Sequence, residues 1–296
     1  MRLALTAITD ELRRLKAGGV GSVSVSDEGL AALRQSVRSR PHGEPAGAEA
    51  PAPAPAPGRP APPRAPAPKA PAADLPPPPT VVLPKGAKDA QWAALLAMVQ
   101  GDPVCRAKVR PGKKVVLGVG SLDAAIMFVG EAPGAEEEVQ GEPFVGPAGQ
   151  LLNKMIGGMA LSRKDVYIGN IMNWRPDLPA GPDGVQTGNR PPTEAEMAHC
   201  LPYLKAQIEI VKPSLLVALG ATAAKGLLGP KAFGALSEVR GRWHDFGGRP
   251  LMVTYHPSYI LRNPVNRTKR LIWEDLLKVM ERAKLPVSDK QRAFFL

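Results

Sequence analysis

Several loops of this 296-residue chain carry side chains that can do chemistry. The first runs Gly130-Glu131-Ala132-Pro133-Gly134 and continues through Ala135 into Glu136, Glu137 and Glu138. Small residues let a backbone approach a ligand closely, and carboxylates orient water or counter a developing positive charge. A nucleotide-phosphate loop fits poorly, because carboxylates repel phosphate and the chain has no GxxxxGK[ST] pattern. The bland alternative is an acidic, solvated turn. Phe144, in Gly141-Glu142-Pro143-Phe144-Val145-Gly146-Pro147, is either a core plug or a platform for a base face. Asn170, in Ile168-Gly169-Asn170-Ile171, offers donors and an acceptor that match the O4 and N3–H edge of uracil. Cytosine presents the reverse pattern at those atoms. An Asn at a strand end also commonly caps a turn. His256, in Thr254-Tyr255-His256-Pro257-Ser258-Tyr259, is a strand-end histidine that can donate to an oxyanion forming on a leaving base. Arg262, Arg267, Lys269 and Arg270 follow; they read as phosphate contacts or as a solvated helix start.

Such side chains need strands that end together. The runs 115–119 (VVLGV), 124–129 (AAIMFV), 165–172 (DVYIGNIM), 215–219 (LLVAL) and 251–255 (LMVTY) read as strands. Between and around them, 147–159, 193–210, 222–228 and 268–283 read as helices. Pro147 stands at a first helical position, and Thr193 and Glu196 have capping-box spacing. Strands alternating with helices predict an α/β fold, a three-layer sandwich around a central, mainly parallel four-stranded sheet. Its loops then issue from the carboxyl ends of the strands, the usual ligand site of an open α/β sheet.

The rest of the chain differs in character. Residues 41–80 are dominated by alternating Pro and Ala, which favours extended polyproline geometry and a semi-rigid linker. Before it, 3–15 carries a short helical stripe (Leu3, Leu5, Ile8, Leu12, Leu15), marginal alone in water. The predicted organisation is a helix and flexible tail over 1–40, a linker over 41–84, a catalytic domain over 85–290 and a C-terminal tail over 291–296. Two cysteines exclude a disulfide-stapled scaffold and point to a reducing compartment. No long uncharged apolar run predicts a membrane span. The formal net charge of +11 favours a polyanionic partner.

Together the motifs GEAPGAEEE (130–138), GEPFVGPAGQLL (141–152), GNIMNWRP (169–176), NRPPTEAEMAHCLPYL (189–204), KPSLLVALGATA (212–223) and TYHPSYILR (254–262) resemble the uracil-DNA glycosylase superfamily, most of all its thermophile-type, iron–sulfur branch known as type four. The likeness covers roughly 90–285. It implies a monofunctional glycosylase that hydrolyses the N-glycosidic bond of uracil in DNA and leaves an abasic site, in base excision repair. It places Glu131 and Glu137 in water handling or charge stabilisation and His256 on the departing base. Phe144 would stack on uracil, Asn170 would read its edge, and Gly130 and Ala132 would line the base site. Ser258, Ile260, Leu261, Arg262 and Arg267 would meet DNA, with Ile260 or Leu261 filling the vacated stack.

Two departures from the family pattern stand out. The branch holds a 4Fe–4S cluster on four cysteines; here Asp102, Cys105, Trp174 and Cys200 occupy those positions. Trp cannot ligate iron and Asp is an unusual hard ligand, so no cluster and no other cofactor is expected. A zinc site from Asp102, Cys105, His199 and Cys200 is the other arrangement these residues allow, strained by the adjacency of the last two. The loop 175–190 is longer than its counterparts and has no His, which argues against covalent trapping of uracil-DNA. The expected partner is uracil-containing DNA, with a protein partner for 1–40 left open; a monomer in the cytoplasm is expected. The second reading is a weakly active or inactive protein that binds and senses uracil in DNA. A third, led by residues 1–84, is a structural or partner-binding role.

Overall fold

In a computed structural model, residues 75–179 and 186–296 are described. The N-terminal helical stripe, most of the Pro/Ala-rich linker and the centre of the 175–190 loop lie outside them. The remaining linker residues contribute Leu75, Val81 and Leu83, which pack against the core.

The chain order is α1 (Lys88–Gly101), α2 (Pro103–Lys108), β1 (Val119–Gly120), β2 (Ile126–Gly130), α3 (Ala135–Gln140), α4 (Pro147–Gly158), β3 (Tyr167–Asn170), α5 (Glu194–Val211), β4 (Leu215–Leu219), α6 (Ala221–Leu228), α7 (Leu236–Val239), β5 (Trp243–Phe246), β6 (Arg249–Thr254), α8 (Pro257–Arg262), α9 (Asn266–Arg282) and α10 (Asp289–Arg292). Local chemistry explains several boundaries. Thr193 accepts from the Glu196 amide at 3.2 Å while Glu196 accepts from the Thr193 amide at 2.7 Å, closing the capping box of α5. Asp102 caps α2 through the Cys105 amide at 2.7 Å, with Pro103 at the first helical position.

The sheet corrects the expectation of four mainly parallel strands. It has six, in the order β1-β3-β2-β4-β6-β5. β3, β2, β4 and β6 are mutually parallel, and antiparallel strands β1 and β5 close the two edges. Most of the run 115–119 does not join the ladder, because Val116 instead exchanges backbone contact with Asn173, its amide donating to the Asn173 carbonyl at 2.8 Å. β5 is joined to β6 by Gly247-Gly248, both with positive φ (58° and 81°), the requirement of a tight two-residue hairpin turn.

Side chains alternate across the central strands. Met127, Val129, Leu216, Ala218, Leu251 and Val253 face one core, shared with α1, α5 and α6. Phe128, Leu215, Val217, Leu219 and Met252 face the other, shared with α4 and α9. Gly130 pairs with Asn170 and Leu219 with Thr254, so the carboxyl ends of the parallel strands are level. β2 lies between β3 and β4, and the chain leaves it in opposite directions. That makes the end of β2 the topological switch point, the usual position of a ligand site in an open α/β sheet. The last residues fold back: Trp273 donates to the Gln291 carbonyl at 2.6 Å, and the Phe294 ring lies 5.2 Å from the Trp273 ring. Among the described residues no helix is long and apolar enough to cross a membrane.

Candidate active site

The loop between α3 and α4 holds Phe144 from both sides. One Glu137 oxygen accepts the amides of Val145 and Gly146 at 3.0 and 2.9 Å, and the other accepts the Gly134 amide at 3.1 Å. From the opposite side Arg163 donates to the carbonyls of Pro143 and Phe144, the latter at 3.1 Å. Between these clamps Phe144 adopts φ of +55°, a left-handed conformation that is costly for a bulky side chain. Strain held this firmly marks a position where ring orientation matters. Arg163 had no signal in the sequence, since it sits outside every motif in the turn before β3.

Asn170 ends β3 directly beside Gly130. A Cβ added to Gly130 would collide with both Asn170 Oδ1 and the Phe144 ring, so the amide and the aromatic meet above one backbone carbon. Asn170 is buried, and its Oδ1 has no hydrogen-bond partner among the described residues. A buried acceptor without a donor is costly unless a ligand supplies one.

His256 enters from the end of β6 and stands at the N-cap of α8. Its ring stacks near Phe144, with centroids 5.5 Å apart and planes 29° apart. The Ser258 amide donates to His256 Nδ1 at 3.2 Å, and Ser258 Oγ lies 2.9 Å from the same nitrogen. An Nδ1 that accepts an N–H carries no proton, so the neutral ring carries its proton on Nε2. Burial, reinforced by the Arg262 charge and opposed by Glu137, pulls the His256 pKa down to about 4. At neutral pH the ring is an uncharged donor.

Glu131 follows β2 and is half-buried. Burial pushes its carboxyl above the usual range, while the Thr222 hydroxyl and the Arg262 charge pull it back. Thr222 lies in the run KPSLLVALGATA, and its signal is a hydroxyl in the first turn of a helix that follows a strand's carboxyl end.

The structure therefore brings Gly130, Phe144, Asn170 and His256 together, with Glu131 at the end of the same strand as Gly130 and Glu137 beneath the Phe144 loop. Ala132 is partly buried against the α1/α5 core. Of the two probe candidates, Ile260 is buried with the α4/α9 core while Leu261 is 49% exposed. Ser258 and Arg262 are bonded to each other, Arg262 donating to Ser258 Oγ at 3.1 Å. Arg267 is exposed in the first turn of α9. A cleft of about 640 Å³ lies elsewhere, at the β1 edge between Trp92, Arg110 and Glu142, and includes none of these groups.

Asp102, Cys105, Trp174 and Cys200 stand at the positions that would ligate an iron–sulfur cluster. Two cysteines cannot supply four thiolates. Trp174 is buried there, its ring 6.1 Å from that of His199 in an edge-on arrangement. Asp102 is already engaged: it accepts from the Cys105 amide at 2.7 Å and from the Tyr203 hydroxyl at 2.9 Å, and lies 3.3 Å from His199 Nε2. Burial opposes its ionisation, but these bonds outweigh burial and hold the carboxyl below its usual range. Asp102, Cys105 and His199 offer ligand atoms within 4.8 Å of one another. Both thiols are buried, and burial pushes each far above its ordinary pKa. The donor set does not fit a four-thiolate cluster.

The family described as "Uracil DNA glycosylase superfamily" matches residues 117–277. A type-4 uracil-DNA glycosylase of Thermotoga maritima is 44% identical over 165 residues, 55% of this chain and 80% of the relative. One of Saccharolobus solfataricus is 39% identical, covering 57% and 76% respectively. A type-5 uracil-DNA glycosylase of Pyrobaculum aerophilum is 32% identical, covering 55% and 73%.

Proposed function

The chain belongs to the uracil DNA glycosylase superfamily, with specific similarity to its type-4 branch, and is a hydrolase of that type; we propose that it excises uracil from DNA and leaves an abasic site. The observation that carries the reading is the unpartnered, buried Oδ1 of Asn170 against the Phe144 ring. An acceptor beside an aromatic face suits a flat ring with a donor at ring position N3, where uracil carries N–H and cytosine only a lone pair.

In this reading the uracil leaves the stack, at a cost of a few kcal/mol. Stacking on Phe144 offsets about 1–3 kcal/mol. Leu261, the exposed member of the α8 pair, enters the space it leaves. Asn170 Oδ1 accepts N3–H, and Nδ2 donates to O4. The bond between C1′ and the base breaks heterolytically; the electron pair goes to uracil and the sugar becomes oxocarbenium-like. His256 donates Nε2–H to the uracil anion without transferring a charge to itself. The Glu131 carboxylate orients water for attack at C1′ and takes its proton. Glu137, its oxygens occupied by three amides, holds the Phe144 loop and adds negative charge near the cationic sugar.

The test is incubation of the purified chain with oligonucleotides bearing uracil, hypoxanthine or no lesion, measuring free base and abasic sites. Free uracil with matching abasic sites is the expected result. Tight binding to uracil-DNA without release would instead support the sensing role, and neither binding nor release would overturn both.

A further inference from the structure

The residues after His256 form a connected chain of donors. Arg262 Nη1 donates to Ser258 Oγ at 3.1 Å, one helical turn back along α8. With its lone pair engaged, the Ser258 hydroxyl directs its own proton to His256 Nδ1 at 2.9 Å, and the Ser258 amide reaches the same nitrogen at 3.2 Å. Two donors on Nδ1 disfavour a proton there. The guanidinium stands at the far end of this chain.

We propose that Arg262 is a positioning residue that, through Ser258, keeps His256 in its neutral Nε2–H form. The inference deepens the excision reading and rests on it. Excision needs that form, a neutral donor to the leaving base. A cation at the end of the relay biases the ring in the required direction, because a positive charge opposes imidazolium. The other charged group facing His256 is Glu137 on α3, which favours imidazolium. Arg262 is thus the charge that counters Glu137 at the ring. DNA over the site would exclude water and strengthen these interactions.

An Arg that only anchors a phosphate would behave differently: its loss would raise KM and reduce salt dependence without altering the pH profile of kcat. The experiment is single-turnover excision against pH with saturating full-length protein, for wild type, R262Q and S258A, alongside NMR titration of the imidazoles. The chain has four histidines, so the His256 signal is assigned by its loss in H256N. In R262Q the acid limb of kcat is expected to move up by about one pH unit, with a matching rise in the His256 titration. S258A should raise the His256 titration in the same direction, and S258A/R262Q should raise it no further than R262Q. An unchanged acid limb and His256 titration in R262Q, with only KM raised, would overturn the proposal. Should R262Q fail to fold, an unchanged His256 titration in S258A would overturn it equally. Wild type that releases no uracil would count against the excision reading itself, while the NMR titration still tests the relay.

Discussion

Asn170 Oδ1 and the Phe144 ring converge on the same face of Gly130, close enough that a single methyl group there would strike both. The two residues lie 26 positions apart on different elements, yet the parallel pairing of Gly130 with Asn170 and the clamped loop before α4 bring them to one point.

Asn170→Asp should change which base is accepted. The amide donor that serves uracil O4 becomes an acceptor, suited to the cytosine amino group. Excision of uracil should fall by roughly two orders of magnitude, as loss of a buried, paired polar contact warrants. A low release of cytosine should emerge. The check is base release from paired uracil- and cytosine-bearing strands; undiminished uracil release would mean the amide does not read the base.

His256→Asn should leave uracil-DNA binding nearly intact and slow single-turnover release about a hundredfold, the typical loss of one oxyanion donor at about 3 kcal/mol. A variant that loses binding and turnover equally would argue that the ring acts in recognition.

The same histidine carries a stability signature. Its pKa is depressed to about 4 in the folded chain and lies near 6.5 when exposed. Above pH of about 6.5 both states hold it neutral and the full stability is present. As pH falls through the folded value, the unfolded state has taken up a proton first, and roughly 3 kcal/mol is lost. Urea unfolding of wild type and His256→Asn, compared at neutral and acid pH, should show the variant losing less.

Much of this arrangement was legible in the residues themselves. The four parallel strands follow from short apolar runs bounded by helices, and the loop motifs marked Glu131, Phe144, Asn170 and His256. The edges were not legible from hydrophobicity. Trp243-His244-Asp245-Phe246 lacks a buried apolar run because an edge strand is only half covered, and Gly247-Gly248 is the one turn signal it offers. At the other edge the apolar run 115–119 looked like a full strand, yet Val116 pairs with Asn173 outside the ladder. Bond partners were equally hidden. The Gly134 contact is local, an N3 carboxylate taking the N-cap amide, but nothing in GAEEE shows that Glu137 also takes the amides of Val145 and Gly146, which folding brings in from the next loop.

Glu137→Gln tests that point. A carboxylate accepting three amide protons becomes a group with one acceptor oxygen, so at least one amide loses its partner. Loss of charge-assisted bonds of this kind costs about 1.5–3 kcal/mol. The expected outcome is a looser Phe144 loop, seen as faster amide exchange at Val145 and Gly146, with weaker uracil-DNA binding.

Asp102 should matter for the fold without iron. Asp102→Ala removes a helix cap and leaves the Tyr203 hydroxyl without its acceptor, and about 3 kcal/mol of stability should go. Chelators should leave the midpoint of wild-type urea unfolding unchanged, and purified protein should carry no stoichiometric iron or acid-labile sulfide. The double substitution D102C/W174C, which restores four thiols, should gain both.

The meeting of Phe144 and Asn170 at one base is tested most directly by a double-mutant cycle. Binding to DNA bearing an excision-resistant uracil analogue would be measured for wild type, Phe144→Ala, Asn170→Ala and the double variant. Residues that hold the same ring should show a coupling energy of about 0.5–3 kcal/mol. Additive losses, within about 0.3 kcal/mol, would mean that the two side chains serve different parts of the substrate.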